Sequence, residues 1–516
     1  MREKILKNKK DDFLDNLEKK IINQQAEFLG ETEKTAKDEP KKEKQLKKKN
    51  SINRELAVVS YIFVGIFMMM IGYFIYFNAV KAKDIINSPY NTRQELFEER
   101  VIRGNIYSSS GDILARTEVY EDGTENRIYP YGSMFAHVVG YSSQGRKGIE
   151  SLENYNLLTS NVFIVDKIKN EFLEIKNQAD TVVTTLDTNL QATAYEALGE
   201  YDGAVVVVEV STGRILASVS KPDFNPNTID YDWEAINSEM GGSALVNRVY
   251  QGQYPPGSTF KVITMLEYMR ENPDYENYSY ECMGTITIGE GAEAVTIPCY
   301  DGIVHGVQNL EQSLANSCNT SFCNIGLQLN NNTFKELTKA LYFNKELPVQ
   351  LSSSVSEFVL DENSSIGEIM MTAMGQGNTL VSPVHMALIT AAIANGGLLM
   401  EPYLIDHIEN ANGDVITRNS PKLLEALLTT QEAEVLTRYM TTVVENGTAM
   451  GVSSSEYTVA GKTGSAEATE GTHSWFIGFS NVDNPDIAVC VIVENVGITS
   501  NIAVPIARQI FNAYYN

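Results

Sequence analysis

The chain lacks the short spacings that mark most metal sites. Its five cysteines (Cys282, Cys299, Cys318, Cys323, Cys490) form no C-x-x-C pair, and its five histidines (His137, His305, His385, His407, His473) include no H-E-x-x-H. The sequence therefore gives a metal centre little support and calls for no cofactor. It has no internal repeat, which excludes solenoids and propellers. It also lacks a cationic body. Residues 1–54 hold 16 Lys+Arg against 11 Asp+Glu, and the remainder 25 against 55, so the net charge of −25 divides into +5 and −30. A body this acidic offers no face to phosphates, which excludes a nucleic-acid partner.

What is present is ordinary globular material, with 43% hydrophobic and 21% charged residues. A length of 516 residues allows two or three domains. The uncharged run Leu56–Phe77 is apolar on every face. As a helix it reaches about 33 Å, enough to cross a bilayer. Lys41, Lys42, Lys44, Lys47, Lys48, Lys49 and Arg54 precede it. By the positive-inside rule the tail is then cytoplasmic and the bulk of the chain lies outside. The tail is Lys/Glu/Asn/Gln-rich and disorder-like, although Phe13, Leu14, Leu17 and Ile21 fall on one helical face.

Beyond the anchor, strand-like residues flank the turn Ser110-Gly111-Asp112 and predict a hairpin. Asp187–Leu198 reads as a helix with Asp187 or Thr188 as cap. The runs Ala204–Val210 and Arg214–Val219 surround Ser211-Thr212-Gly213 and predict a second hairpin. Residues 255–445 read as largely helical, with Pro383 and Gly396-Gly397 bounding one helix. Strands are expected at Thr458–Gly461, Ser474–Phe479 and Ile487–Val493, followed by a helix over Ala503–Tyr514. The fold class is α+β, an antiparallel sheet interrupted by a helical insertion.

Three short motifs carry chemistry. In Pro255-Pro256-Gly257-Ser258-Thr259-Phe260-Lys261, Ser258 opens a helix and Lys261 shares its face. A serine hydroxyl needs a base, and a desolvated lysine can be one. Ser317-Cys318-Asn319 adds a hydroxyl able to relay a proton and an amide able to orient a substrate. Lys462-Thr463-Gly464-Ser465, on an edge-like strand, offers charge, hydroxyls and a gap without a side chain to a carboxylate ligand lying along it. The first two motifs are weak alone, and the third could be a plain surface strand. S-x-x-K, S-D-N and K-T-G in this order and context are a joint signature of serine β-lactamases and penicillin-binding proteins.

With these motifs, and with Arg103-Gly104-Asn105-Ile106, Gly148-Ile149-Glu150, Gly375-Gln376-Gly377 and His473–Phe479, the chain resembles a class B penicillin-binding protein. The resemblance implies a cytoplasmic tail (1–54), a transmembrane anchor (55–78), a short non-catalytic pedestal (79–178) and a transpeptidase domain (179–516). It implies cross-linking of peptidoglycan stem peptides through an acyl-enzyme on Ser258, with Lys261, Ser317 and Asn319 catalytic and Lys462, Thr463, Gly464 and Ser465 binding substrate. It implies covalent inhibition by β-lactams, and a partner among the polytopic lipid-II polymerases of the shape, elongation, division and sporulation family. Cys318 stands where the signature has Asp. A D,D-carboxypeptidase or a β-lactam sensor would use the same serine. A β-lactamase would need a Glu-x-x-Leu-Asn water activator, which is absent between Ser317 and Lys462. Cys282 and Cys299, in a Gly-rich stretch, are either a disulfide or two free thiols.

Overall fold

The computed structural model describes residues 42–77, 100–173, 175–238, 242–291, 294–468, 471–497 and 501–516. These fall into two units, Met1–Ile85 and Ile86–Asn516. Among the described residues of the first, a helix spans Lys42–Tyr76, and its stretch Leu56–Tyr76 has a mean hydropathy of 2.2. Its apolar side chains are exposed all round. A helix satisfies its own backbone hydrogen bonds, so this surface suits hydrocarbon as solvent. The amphipathic pattern at Phe13–Ile21 lies outside the described residues.

The second unit is built on a five-stranded sheet whose strands come from two distant stretches, Gly203–Lys221 and Val459–Val496. In chain order its main elements are α1 (Thr188–Leu198), β1 (Gly203–Glu209), β2 (Ile215–Lys221), α2 (Lys261–Glu271), α3 (Asn319–Gly326) and α4 (Pro383–Ala394). Then follow α5 (Thr430–Asn446), β3 (Val459–Ala468), β4 (Gly471–Ser480), β5 (Ile487–Val496) and α6 (Ala503–Tyr515). The spatial order is β3-β4-β5-β1-β2, antiparallel throughout. The chain thus leaves the sheet after β2 and returns on its far side, as the sequence pattern implied. Gly213 turns the β1–β2 hairpin at φ +81°.

Residues 203–208 and 487–493 are buried without alternation, the pattern of strands covered on both faces. Helices α1 and α6 pack on one another and on β2, β4 and β5, while α4, buried at every position, packs on β1, β4 and β5. The Asp187 carboxylate accepts the Leu190 N–H at 2.8 Å and fixes where α1 begins.

A six-stranded sheet has the order Val415–Arg418, Ile405–Glu409, Thr181–Thr184, Ile106–Tyr107, Ile113–Val119, Glu125–Ile128. The hairpin around Gly111 forms as expected, yet two strands of the sheet are supplied by residues 405–418. The motifs Arg103-Gly104 and Gly148-Ile149-Glu150 meet beside it. Glu150, fully buried, accepts from Arg103 Nε and from Arg127 Nε at 2.7 Å each. A Cβ on Gly104 would come 1.8 Å from Asp180 O, so this position requires glycine. These residues hold the fold.

The largely helical reading of 255–445 fails at Leu398–Met400, Ile405–Glu409, Val415–Arg418 and Leu423–Ala426, which are strands, and at residues 280–308. There Tyr280–Cys282 pairs with Gly306–Gln308, and Thr285–Ile288 with Val295–Pro298. Strands of three or four residues, broken by glycine, are too short for a period-two pattern to emerge.

Candidate active site

Ser258 lies in a 3-10 turn, Gly257–Phe260, that leads into α2, rather than in the α-helix itself. Residues three apart are eclipsed in such a turn, which keeps Ser258 and Lys261 on one side. The turn is pinned from three directions. Thr259 Oγ1 donates to Pro256 O at 2.6 Å, and Trp475 Nε1 donates to Pro255 O at 3.1 Å. Gly257, at φ +54°, leaves so little space that a Cβ would fall 2.7 Å from Ser465 O. Gly375 is pressed against Gly257 in the same way. The Gly375-Gln376-Gly377 motif thus braces the turn, and Gln376 Nε2 reaches Ser465 O at 3.2 Å. The Ser258 side chain is half-buried.

Behind it, Lys261 is fully buried. Its Nζ donates to Ser317 O and to Asn319 Oδ1 at 2.7 Å each, and to Ser317 Oγ at 3.3 Å. Desolvation brings its pKa down to about 8, against an opposing pull from the thiols of Cys318, Cys323 and Cys299. Lys462, on edge strand β3, is also fully buried. Its Nζ donates to Ser317 Oγ at 3.0 Å and to Thr463 O at 2.9 Å. Burial, then the neighbouring Lys261 charge, lowers its pKa well below the usual lysine value. The Ser317 hydroxyl therefore bridges two buried amines from distant parts of the chain. Ser317 takes φ +53°, a left-handed conformation uncommon for a residue with a side chain.

Asn319 starts α3 and donates its Nδ2 to Pro298 O at 3.2 Å. On β3, Thr463 is buried and Ser465 exposed, and Gly464 leaves space that a Cβ would fill to 3.0 Å from Thr259 Cγ2. All eight sequence-picked residues thus belong to one neighbourhood. Thr448, which sequence reasoning missed, pairs its hydroxyl with that of Thr463 at 2.6 Å. It follows Asn446-Gly447 at the end of α5, a helix-stop signal with no chemical signature of its own.

Cys282, Cys299, His305 and Cys318 also converge beside the site, with their ligand atoms all within 4.8 Å of one another. Cys282 and Cys299 are free thiols with sulfurs 3.6 Å apart, so the disulfide alternative is not the one found.

Sheet, helical insertion and nucleophile turn together have the architecture of the serine penicillin-binding enzymes. Residues 203–512 match the penicillin binding protein transpeptidase domain, and residues 103–182 match the penicillin binding protein A dimerisation domain. The chain belongs to the penicillin-binding protein transpeptidase family. It is 30% identical to the peptidoglycan D,D-transpeptidase PbpA of Mycolicibacterium smegmatis over 79% of this chain and 87% of the relative. Among solved structures, the D,D-transpeptidase domain of Eggerthella lenta peptidoglycan glycosyltransferase is 30% identical. It aligns with TM-score 0.73 over 80% of this chain and 98% of its own. The imipenem acyl-enzyme of penicillin-binding protein A from M. tuberculosis, 26% identical, aligns with TM-score 0.74 over 81% of this chain and 100% of its own.

Proposed function

We propose that this chain is a membrane-anchored serine D,D-transpeptidase that cross-links peptidoglycan, with Ser258 as its nucleophile. The observation that carries this reading is the Ser317 hydroxyl held between the buried amines of Lys261 and Lys462, beside the Ser258 turn.

The neutral fraction of Lys261 takes the Ser258 proton as Oγ attacks the penultimate D-Ala carbonyl of a donor stem peptide. The N–H groups of Ser258 and Ser465 stabilise the oxyanion. The C–N bond breaks, and the proton passes from Lys261 through Ser317 to the departing D-Ala amine. The ester on Ser258 is then attacked by an amine of a neighbouring stem. That amine loses its proton to Lys261, the ester C–O bond breaks, the Ser258 oxygen regains a proton, and the new amide is the cross-link. Lys462, Thr463 and Ser465 hold the donor's terminal carboxylate, Gly464 lets its backbone approach β3, and Asn319 orients the peptide amide. A β-lactam enters as a mimic of the donor and stays as an ester, consistent with the acyl-enzyme of the M. tuberculosis relative.

In this reading residues 1–54 are cytoplasmic, 55–78 cross the membrane, 79–178 form a pedestal and 179–516 the extracytoplasmic catalytic part. The partner is a polytopic lipid-II polymerase that supplies nascent glycan. The test is incubation of the full-length chain in detergent with a stem-pentapeptide donor and an amine acceptor. Formation of the amide supports a transpeptidase. Release of free acid alone would make it a carboxypeptidase, and rapid turnover of penicillin a β-lactamase.

A further inference from the structure

We infer that Cys282, Cys299, His305 and Cys318 bind a structural Zn²⁺ that ties residues 280–308 to the Ser317-Cys318-Asn319 motif. The four come from separate places. Cys282 ends one short strand, Cys299 follows another, His305 precedes a third, and Cys318 is the middle residue of the motif.

Their geometry is that of a ligand set. Cys299 Sγ lies 3.6 Å from Cys282 Sγ and 3.6 Å from Cys318 Sγ, and His305 Nδ1 lies 3.3 Å from Cys282 Sγ. A tetrahedral Zn²⁺ with bonds of about 2.3 Å to sulfur and about 2.0 Å to nitrogen sets S···S near 3.75 Å and S···N near 3.5 Å. One disulfide would use two of the three sulfurs and give the third and the imidazole no role. The donor set is three thiols and an imidazole with no carboxylate, which favours Zn²⁺ over Mg²⁺ or Ca²⁺. Four protein ligands close the coordination sphere, so the ion is structural.

Two further observations point the same way. Thr320 Oγ1 lies 3.2, 3.3 and 3.6 Å from the sulfurs of Cys282, Cys318 and Cys299, and the Gly284 N–H donates to Cys282 Sγ at 3.5 Å. Donors directed at sulfur are what metal-bound thiolates require. The 280–308 excursion also has almost no core of its own. Ile297 is buried and Ile286, Ile288 and Val295 lean on the main core, but the excursion's own cluster is only Cys282 and Cys299 with Cys318, edged by Tyr280, while Met283, Tyr300, Ile303, Val304 and Val307 are exposed. A metal supplies the cohesion that so small an element lacks.

Cys318 sits between Ser317, in its left-handed conformation, and Asn319, which donates to Pro298 O beside Cys299. Zn²⁺ therefore fixes both neighbours that receive Lys261. This consequence rests on the function proposed above; the metal site itself does not.

The test begins with the full-length chain purified in detergent without chelator, for metal content. About one zinc per chain is expected, lost in Cys282→Ser and His305→Ala. Should a variant fail to fold, exchange of Co²⁺ into the native chain decides the matter. Thiolate-to-cobalt charge-transfer and tetrahedral d–d bands support the site. Absence of both zinc and these bands would overturn it, as would zinc retained equally by the folded variants. Removing zinc with a chelator should slow acylation by a fluorescent penicillin about 10²-fold, restored by Zn²⁺ and not by Mg²⁺. A zinc-holding chain that acylates equally fast when stripped overturns the tie to the motif. A zinc-holding chain that never acylates leaves the site standing and defeats the function.

Discussion

The five-stranded sheet and the 280–308 excursion flank the same site but are held together by different means. The sheet is a continuous apolar interior: Val205, Val206, Val207, Val489, Val491 and Ile492 are all fully buried, and α1, α4 and α6 pack on it. The excursion presents short strands with exposed faces over three cysteines. Lys462 is thus positioned by a strand paired to a large sheet. Ser317 lies in the short connection between the helix Leu310–Ala315 and α3, and Asn319 opens α3, with the cysteine cluster packed against that connection. The sheet should tolerate changes of solution conditions that the excursion does not.

Mutations can sharpen this contrast. The largest effect on stability is expected in the sheet. Ile492→Ala should cost about 2–5 kcal/mol in denaturant unfolding of the full-length chain, because a cavity opens under packed helices. A loss below about 1 kcal/mol would show that the sheet is not the rigid partner in the comparison. Next comes the residue the sheet delivers. Lys462→Ala should slow penicillin acylation by about 10²–10³ while leaving the unfolding midpoint near that of the native chain. An unchanged rate in the folded variant would remove Lys462 from the site.

The third effect is one of pH. Lys261, with its pKa lowered to about 8 by burial, can serve as the proposed base only when neutral. Acylation should rise about tenfold per pH unit below about pH 8 and level off above it. Below that pH the base is held protonated; above it, deprotonation is complete and nothing more is gained. A profile flat between about pH 6 and 8 would assign the proton to another group. The smallest effect belongs to the surface of the excursion. Val307→Ala, at an exposed position, should change stability by no more than about 0.5 kcal/mol. A larger loss would mean that this surface is packed against something after all.

The same contrast explains what could be read in advance. The β1–β2 hairpin announced itself through a valine run and a glycine turn, and α1 through Asp187, because these signals are local. The three motifs stood out through residue type and order together, and Lys261, Ser317, Asn319 and Lys462 do meet in the fold. Three features were not legible. The Val415–Arg418 and Ile405–Glu409 strands join a sheet begun some three hundred residues earlier, and no local pattern encodes that partner. Thr448 meets Thr463 only through the return of β3 beside α5. The cysteine–histidine cluster escaped because its members are spread along the sequence, and folding alone brings them within reach of one ion.

Ser258 as the nucleophile can be checked by mass analysis of the full-length chain after exposure to a penicillin. One ring-opened drug should be found per chain, located on the peptide containing Ser258, and Ser258→Ala should carry none. The adduct should persist, since the segment that would activate water in a β-lactamase is missing. A folded chain with no covalent drug, or with drug on any residue other than Ser258, would contradict the account.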